Sequence, residues 1–265
     1  MADPAVPGAT GSRPVSITPI LGLPLIQPGD DLAVALIEGL EKGGLTPEAG
    51  DVLVVAQKVV SKSEGRFVRL DAVETADADI ALSRQSGKPA ALCALIARDA
   101  EVVMRVRDNL VVVRNRLGHV LANGGIDASN VASPDGPETV LLWPKDPDAS
   151  AARLRAALQQ RFGVPLAVIV SDSLGRAWRM GTMGHAIGAS GIMPVTDRRG
   201  EADLFGRTLQ ATVIGVADEL AAAASLVIGE AAEGVPAALV RGARYRISDG
   251  GIGPLLRSRG EDLFQ

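Results

Sequence analysis

Six short aliphatic runs constrain this chain more than any other feature. DVLVVAQ (51–57), NLVVVRN (109–115), TVLLW (139–143), PLAVIVSD (165–172), ATVIGV (211–216) and AALVRG (237–242) are of strand length and scarcely alternate with polar residues. A strand with one wet face alternates, whereas a continuous apolar run belongs in a sheet covered on both faces. The sequence offers the covering helices between the runs. In DLAVALIEGL, Leu32, Leu36 and Leu40 share a face, and Gly43-Gly44 stops the helix. In SAARLRAALQQRFG, Leu154, Leu158 and Phe162 form a stripe; Ser150 or Asp148 is placed to cap its start and Gly163 to end it. In ADELAAAASLVIGE, Leu220, Ala224 and Val227 or Ile228 face one way, and Asp218 and Glu219 suit the helix N-terminus.

Strands and helices alternate only partly. NLVVVRNRLGHVLAN reads as a hairpin, so the expected class is α+β, with mixed sheets and packed helices, not a clean doubly wound sheet. VASPDGPETV (131–140) reads as a turn-rich loop, and WPKDPDAS (143–150) marks a candidate boundary between lobes. Residues 1–13 read as a flexible N-terminal tail without a secretory pattern, and no apolar run is long enough to span a bilayer. Aromatics are only 3% of the chain, so Val, Leu, Ile and Ala must build the core. A net charge of −4 argues against a nucleic-acid partner. The one cysteine, Cys93, lies in the apolar stretch AALCALIA; it excludes a disulfide framework within the chain, reads as a buried thiol and fits a cytoplasmic location.

Familiar catalytic motifs are absent. SRQSGKPA fails as a phosphate loop because Leu82 and Pro89 replace the required glycine and hydroxyl residue. His119 and His185 lie far apart in no metal-binding motif and read as structural. What remains is a set of acids and small polar residues at segment ends. Asp172 follows PLAVIVS and precedes Ser173; the pair is either a hard-cation shell at a strand end or a turn cap. GGIDASN (124–130) offers Asp127 and Asn130 after two glycines, either as ligand contacts or as an ordinary turn. In QKVVSKSEGR, Lys58 and Lys62 either face phosphate or are solvated. ILGLPLIQPGDD (20–31) is either a strand entering a turn or a backbone that approaches a ligand closely. Glu230 closes an alanine-rich helix against its dipole, an arrangement a bound cation would offset. In SDSLGRAWRMGT, Trp178 sits between Arg176 and Arg179, either as a core residue or beside an anion site.

Taken in order, ITPILGLPLIQPGDDL, QKVVSKSEGR, NRLGHVLANGGIDASNV, SDSLGRAWRMG and ADELAAAASLVIGEAAEGVPAALVRG resemble the coenzyme F420:γ-glutamyl ligase family along nearly the whole chain. The resemblance implies an enzyme that joins L-glutamate by γ-linkage to the terminal carboxylate of a deazaflavin coenzyme precursor. GTP would be the co-substrate and two divalent ions, Mg²⁺ or Mn²⁺, the cofactors, with K⁺ a candidate further ion. It implies that Leu23, Pro24, Leu25, Ile26, Gln57, Lys62 and Asn130 contact the nucleotide, as do Ile228, Gly229, Glu230, Ala231, Ala232, Glu233, Gly234 and Val235. Asp127, Asp172, Ser173 and Glu230 would hold the metals, and Arg176 and Arg179 would face anionic groups during catalysis. Glu230 stands where many relatives carry Gln, and Gln57 where some carry Ser. The implied fold is a two-lobed α+β protomer in an intertwined homodimer. It would be a ligase domain over 14–265 without the nitroreductase-like domain of an actinobacterial relative.

The chemistry agrees with the residues. Phosphoryl transfer needs positioning and charge neutralisation more than a nucleophilic side chain. Acids brought within about 4 Å of one another repel by about 4 kcal/mol per pair at an effective dielectric near 20, so convergence of these acids would call for cations. The same acids would also serve a metal-dependent phosphohydrolase, and a non-catalytic nucleotide-binding module is a third reading.

Overall fold

A computed structural model describes residues 14–131 and 138–262. The N-terminal tail and most of the 131–140 loop therefore lie outside the described residues. The chain begins with β1 (Ser16–Pro19), α1 (Leu32–Lys42), β2 (Val52–Ala56) and α2 (Gln57–Ser63). It continues through β3 (Phe67–Arg69), α3 (Asp77–Ser86), α4 (Ala90–Asp99), β4 (Ala100–Arg107), β5 (Leu110–Asn115), β6 (Val120–Ala122) and β7 (Thr139–Leu141). Then follow α5 (Pro147–Phe162), β8 (Ala167–Gly175), β9 (Thr182–Ser190), β10 (Thr196–Asp197), β11 (Val213–Ile214), α6 (Val216–Ile228) and β12 (Ala237–Arg241).

The main sheet has the order β1-β12-β2-β8-β9. Only the β2–β8 pair is parallel; the other pairs are antiparallel. Its central strands explain the unbroken apolar runs. Leu53, Val55, Val168, Val170, Ala237 and Leu239 point into one core cluster, with Leu36 and Leu40 of α1 and Leu154 and Leu158 of α5. Val52, Val54, Ala167, Ile169, Ala238 and Val240 point into the other, with Ala217, Leu220, Ala221 and Ala224 of α6. Odd and even positions thus serve two cores, so neither can be polar.

The segment between α2 and α5 builds smaller sheets. β5 pairs antiparallel with both β4 and β6, and β3 pairs with β7. α4 closes this region: its Leu95 joins Leu70 and Val140 in one apolar cluster, and its Ile96 joins Val111 and Val113 in another. Cys93 is buried in α4, as its apolar stretch implied. The architecture is mixed α+β with packed helices. Among the described residues, no helix is long and apolar enough to cross a membrane.

Several local expectations are corrected. Asp146, not Ser150 or Asp148, caps α5, accepting a hydrogen bond from the Ala149 amide at 2.9 Å; Pro147 then occupies the first turn, where its missing N–H costs nothing. β8 does not stop before Asp172. It continues to Gly175 because β9 pairs with it over that whole stretch, Asp172 lying opposite His185. ATVIGV contributes only the two residues of β11. α6 ends at Ile228, so Glu230 lies just beyond the helix. By contrast, α1 closes at Gly43 and α5 ends on left-handed Gly163, as the sequence suggests; Asp31 caps the start of α1.

Candidate active site

Of the polar side chains singled out in the sequence, Gln57, Lys58, Lys62, Asn130, Asp172, Ser173 and Glu230 line a cleft of about 410 Å³ beside the C-terminal ends of β2 and the buried part of β8; Asp127 is not in its lining. Cavities of this size are typical of small-molecule sites. β2 delivers the chain into α2, which sets Gln57, Lys58 and Lys62 along one wall. Leu23, Pro24, Leu25 and Ile26 form a second wall; Ile26 is buried, whereas Leu25 is 86% exposed. The loop beyond α6 forms a third, running from Ile228 and Gly229 through Glu230, Ala231, Ala232 and Glu233 to Gly234 and Val235. Asn130 ties two walls together, its side-chain amide donating to the Ala231 carbonyl at 2.9 Å. Its left-handed backbone, φ 57°, is one that asparagine tolerates.

Asp172 and Ser173 form the floor. The Trp143 indole N–H donates to Asp172 Oδ2 at 2.7 Å, and the Ser173 amide donates to Oδ1 at 2.8 Å. Burial, reinforced by the neighbouring Asp127 carboxylate, nevertheless pushes the Asp172 carboxyl up to about 7. The Ser173 hydroxyl donates to Glu230 Oε1 at 2.6 Å, linking β8 to the loop after α6.

Asp127 lies close enough to Asp172 and Glu230 for their charges to act on one another, although it does not line the cleft. Gly124 and Gly125, both at positive φ, turn the chain so that Asp127 makes an isolated antiparallel bridge with Leu141. Gly125 could be nothing else: a Cβ there would stand 2.5 Å from Trp143 Nε1. Lys58 Nζ lies 3.2 Å from Asp127 Oδ1, and Asp127 Oδ2 is buried without a hydrogen-bond partner. Burial raises the Asp127 carboxyl above its usual range, against the pull of Lys58 and with a further push from Glu230. Lys62, one helical turn along α2, is lowered by burial and by the Lys58 charge.

The donor set fits a hard divalent cation. It offers carboxylate and hydroxyl oxygens, including one buried carboxylate oxygen with no partner. Among the described residues, no three His, Cys, Asp or Glu side chains already form a metal cage. Mg²⁺ does not require one, because it usually takes one or two protein carboxylates and fills its shell with water and substrate phosphates.

Arg176 and Arg179 are not brought to this cleft. They lie in the turn between β8 and β9, where the hairpin leaves the covered part of the sheet and its residues become exposed. Trp178, in the same turn, is 86% exposed with φ 69°, so it is not a core residue. Two partnerships went unread in the sequence. Trp143 carries no local sign that its indole reaches Asp172, and Lys58 gives no sign that it pairs with Asp127. The facing Gly124-Gly125 pair was the available hint of a bulky neighbour.

A family model for F420-0:Gamma-glutamyl ligase matches residues 21–242. The chain belongs to this family. It is 44% identical over 253 residues to the coenzyme F420:L-glutamate ligase of Methanothermobacter thermautotrophicus, covering 95% of this chain and 99% of that one. It is 40% identical to the protein of the same name from Methanopyrus kandleri, covering 91% of this chain and 93% of that one. The Archaeoglobus fulgidus protein of that name is 39% identical, with 95% and 96% covered. The family-matched segment contains the cleft residues from Leu23 to Val235.

Proposed function

We propose that this chain attaches one or more L-glutamates by γ-linkage to the terminal carboxylate of a coenzyme F420 precursor, with GTP as the activating co-substrate. The observation that carries the reading is the convergence of Asp172, Ser173, Glu230 and Lys62 on one cleft in a member of this ligase family. An amide does not form readily from a carboxylate and an amine in water. In the proposed sequence, a carboxylate oxygen of the precursor attacks the γ-phosphorus of GTP, the bond to the bridging oxygen breaks, and GDP leaves. The resulting acyl phosphate is attacked at carbon by the glutamate amine. Phosphate leaves with the former carboxylate oxygen, and the amine proton passes to solvent.

This chain's own groups supply position and charge. Lys62 and the 228–235 loop would hold the nucleotide, with Leu23 to Ile26 against its base. Asp127, Asp172, Ser173 and Glu230 would hold two Mg²⁺ or Mn²⁺ ions, which neutralise phosphate charge when bound. K⁺ is proposed only as an accessory ion. Arg176 and Arg179, on their exposed turn, would meet anionic substrate groups if that turn lies over the substrate. We further propose a homodimer acting in the cytoplasm, its stoichiometry to be read by sedimentation.

The test is mass spectrometry of the coenzyme precursor after incubation with GTP, L-glutamate and Mg²⁺ or Mn²⁺. Mass increments of one glutamyl unit, with matching GDP release, are expected. GDP release of equal rate without glutamate or precursor, and without mass increments, would instead identify a hydrolase.

A further inference from the structure

A second cavity, of about 340 Å³, lies behind the Trp143 indole, away from the cleft. Its lining gathers Arg66, Arg98, Arg116 and Lys145 around one acid, Asp99. Such an excess of positive charge is unexpected in a chain of net charge −4. Among the described residues, none of these cations has a carboxylate within ion-pair distance. Arg66 donates to the Trp143 carbonyl at 2.9 Å and Arg98 to the Glu74 carbonyl at 2.6 Å. Those bonds orient the guanidinium groups without neutralising them. Arg116 and Lys145 stand exposed at the rim. Asp99, whose carboxyl is raised by burial against the pull of Arg116 and Arg66, is the single acid set against these four cations in the cavity lining.

We infer that this cavity is a binding site for a small polyanion, its charges on carboxylate or phosphate oxygens, walled from the cleft by Trp143. Like charges gathered without counter-ions repel, and guanidinium forks match carboxylate and phosphate oxygens in geometry. The indole is shared between the two sites: it lines the anion cavity and donates its N–H to Asp172. An anion seated against it should therefore alter its surroundings and its fluorescence. The inference does not depend on the ligase reading, because it concerns binding without nucleotide.

The test starts from Trp178→Phe, which leaves Trp143 as the sole indole of a chain with two. L-Glutamate and inorganic phosphate are titrated separately, without GTP or metal, and followed by Trp143 emission and by calorimetry. A saturable response to at least one is expected. Its midpoint should rise about tenfold or more in Arg116→Gln/Lys145→Gln, as loss of charge-assisted hydrogen bonds requires. The midpoint should stay unchanged in Lys62→Ala. An unaltered melting temperature shows that the double variant is folded. A response to glutamate alone assigns a carboxylate ligand, and one to phosphate alone a phosphate ligand. Absence of binding by both methods overturns the inference. So does a response that survives in the double variant, or one lost in Lys62→Ala, which would put the anion in the cleft.

Discussion

Asp172 sits where a carboxylate is least at home, inside a sheet and next to another acid. Two hydrogen bonds hold it there, from the Trp143 indole and the Ser173 amide, yet its carboxyl still stays well above the usual range. Removing it should relieve repulsion while deleting a proposed ion ligand. Asp172→Ala is therefore expected to fold but to show no detectable glutamate addition by mass spectrometry; full activity would remove this residue from the proposed machinery. Lys62→Ala should weaken GTP binding by about tenfold or more while leaving coenzyme binding near its original value, as paired calorimetric titrations would show. His119 supplies one part of the pH dependence of stability. It is buried with its ring edge towards Trp143, 5.2 Å between centroids, and burial, assisted by His185, lowers it from 6.5 to about 4. The unfolded chain therefore takes up a proton below about 6.5 that the folded chain refuses until about 4. Stability is fully present above that window and falls by about 3 kcal/mol as pH drops through it. Asp172, raised to about 7, takes up its proton earlier in the folded chain and so opposes this loss over the same range; the His119 contribution should therefore appear in urea unfolding at pH 7 and pH 4.5 as the difference between the native chain and His119→Phe. At this scale the residue types of the site were legible, because acids and lysines beside apolar runs are conspicuous. Their partners were not, because Trp143 and Asp172, or Lys58 and Asp127, become neighbours only in the folded chain.

Elements were legible where hydrophobic pattern alone decides them. β2, β8 and β12 are aliphatic on both faces, and α1 carries its leucine stripe between Asp31 and Gly43. β9 escaped attention because TMGHAIGAS is rich in glycine and alanine, which have little intrinsic strand preference; pairing with β8 makes it a strand. Those small residues serve packing. A Cβ on Gly184 would come 2.5 Å from the Ala221 carbonyl oxygen of α6, and one on Gly188 would overlap the Pro147 backbone at the start of α5. Backbone cannot move aside as a flexible side chain can. Gly188→Ala should therefore destabilise the fold by about 1–3 kcal/mol, measured as a lowered urea midpoint. An unchanged midpoint would show that α5 can shift without loss.

The whole molecule is knit by contacts distant in sequence. β2 lies between β8 and β12, and β12 lies between β1 and β2. Residues near the start of the chain are thus held apart until residues near its end are inserted between them. A chain ending at residue 235 should lose cooperative unfolding by circular dichroism; retention of a sharp thermal transition would show that the remaining strands can close up alone. Topology of this kind could not be read from the runs themselves, since a continuous apolar strand says that it has neighbours but not which ones. During synthesis the consequence is one of timing. β1 and β2 leave the ribosome early but flank a gap, and β12, which fills it, is made only after α6. Until then their hydrogen-bonding edges stay open to wrong partners. A nascent chain of this protein should depend more on holding chaperones than a protein of equal size whose neighbouring strands emerge in order.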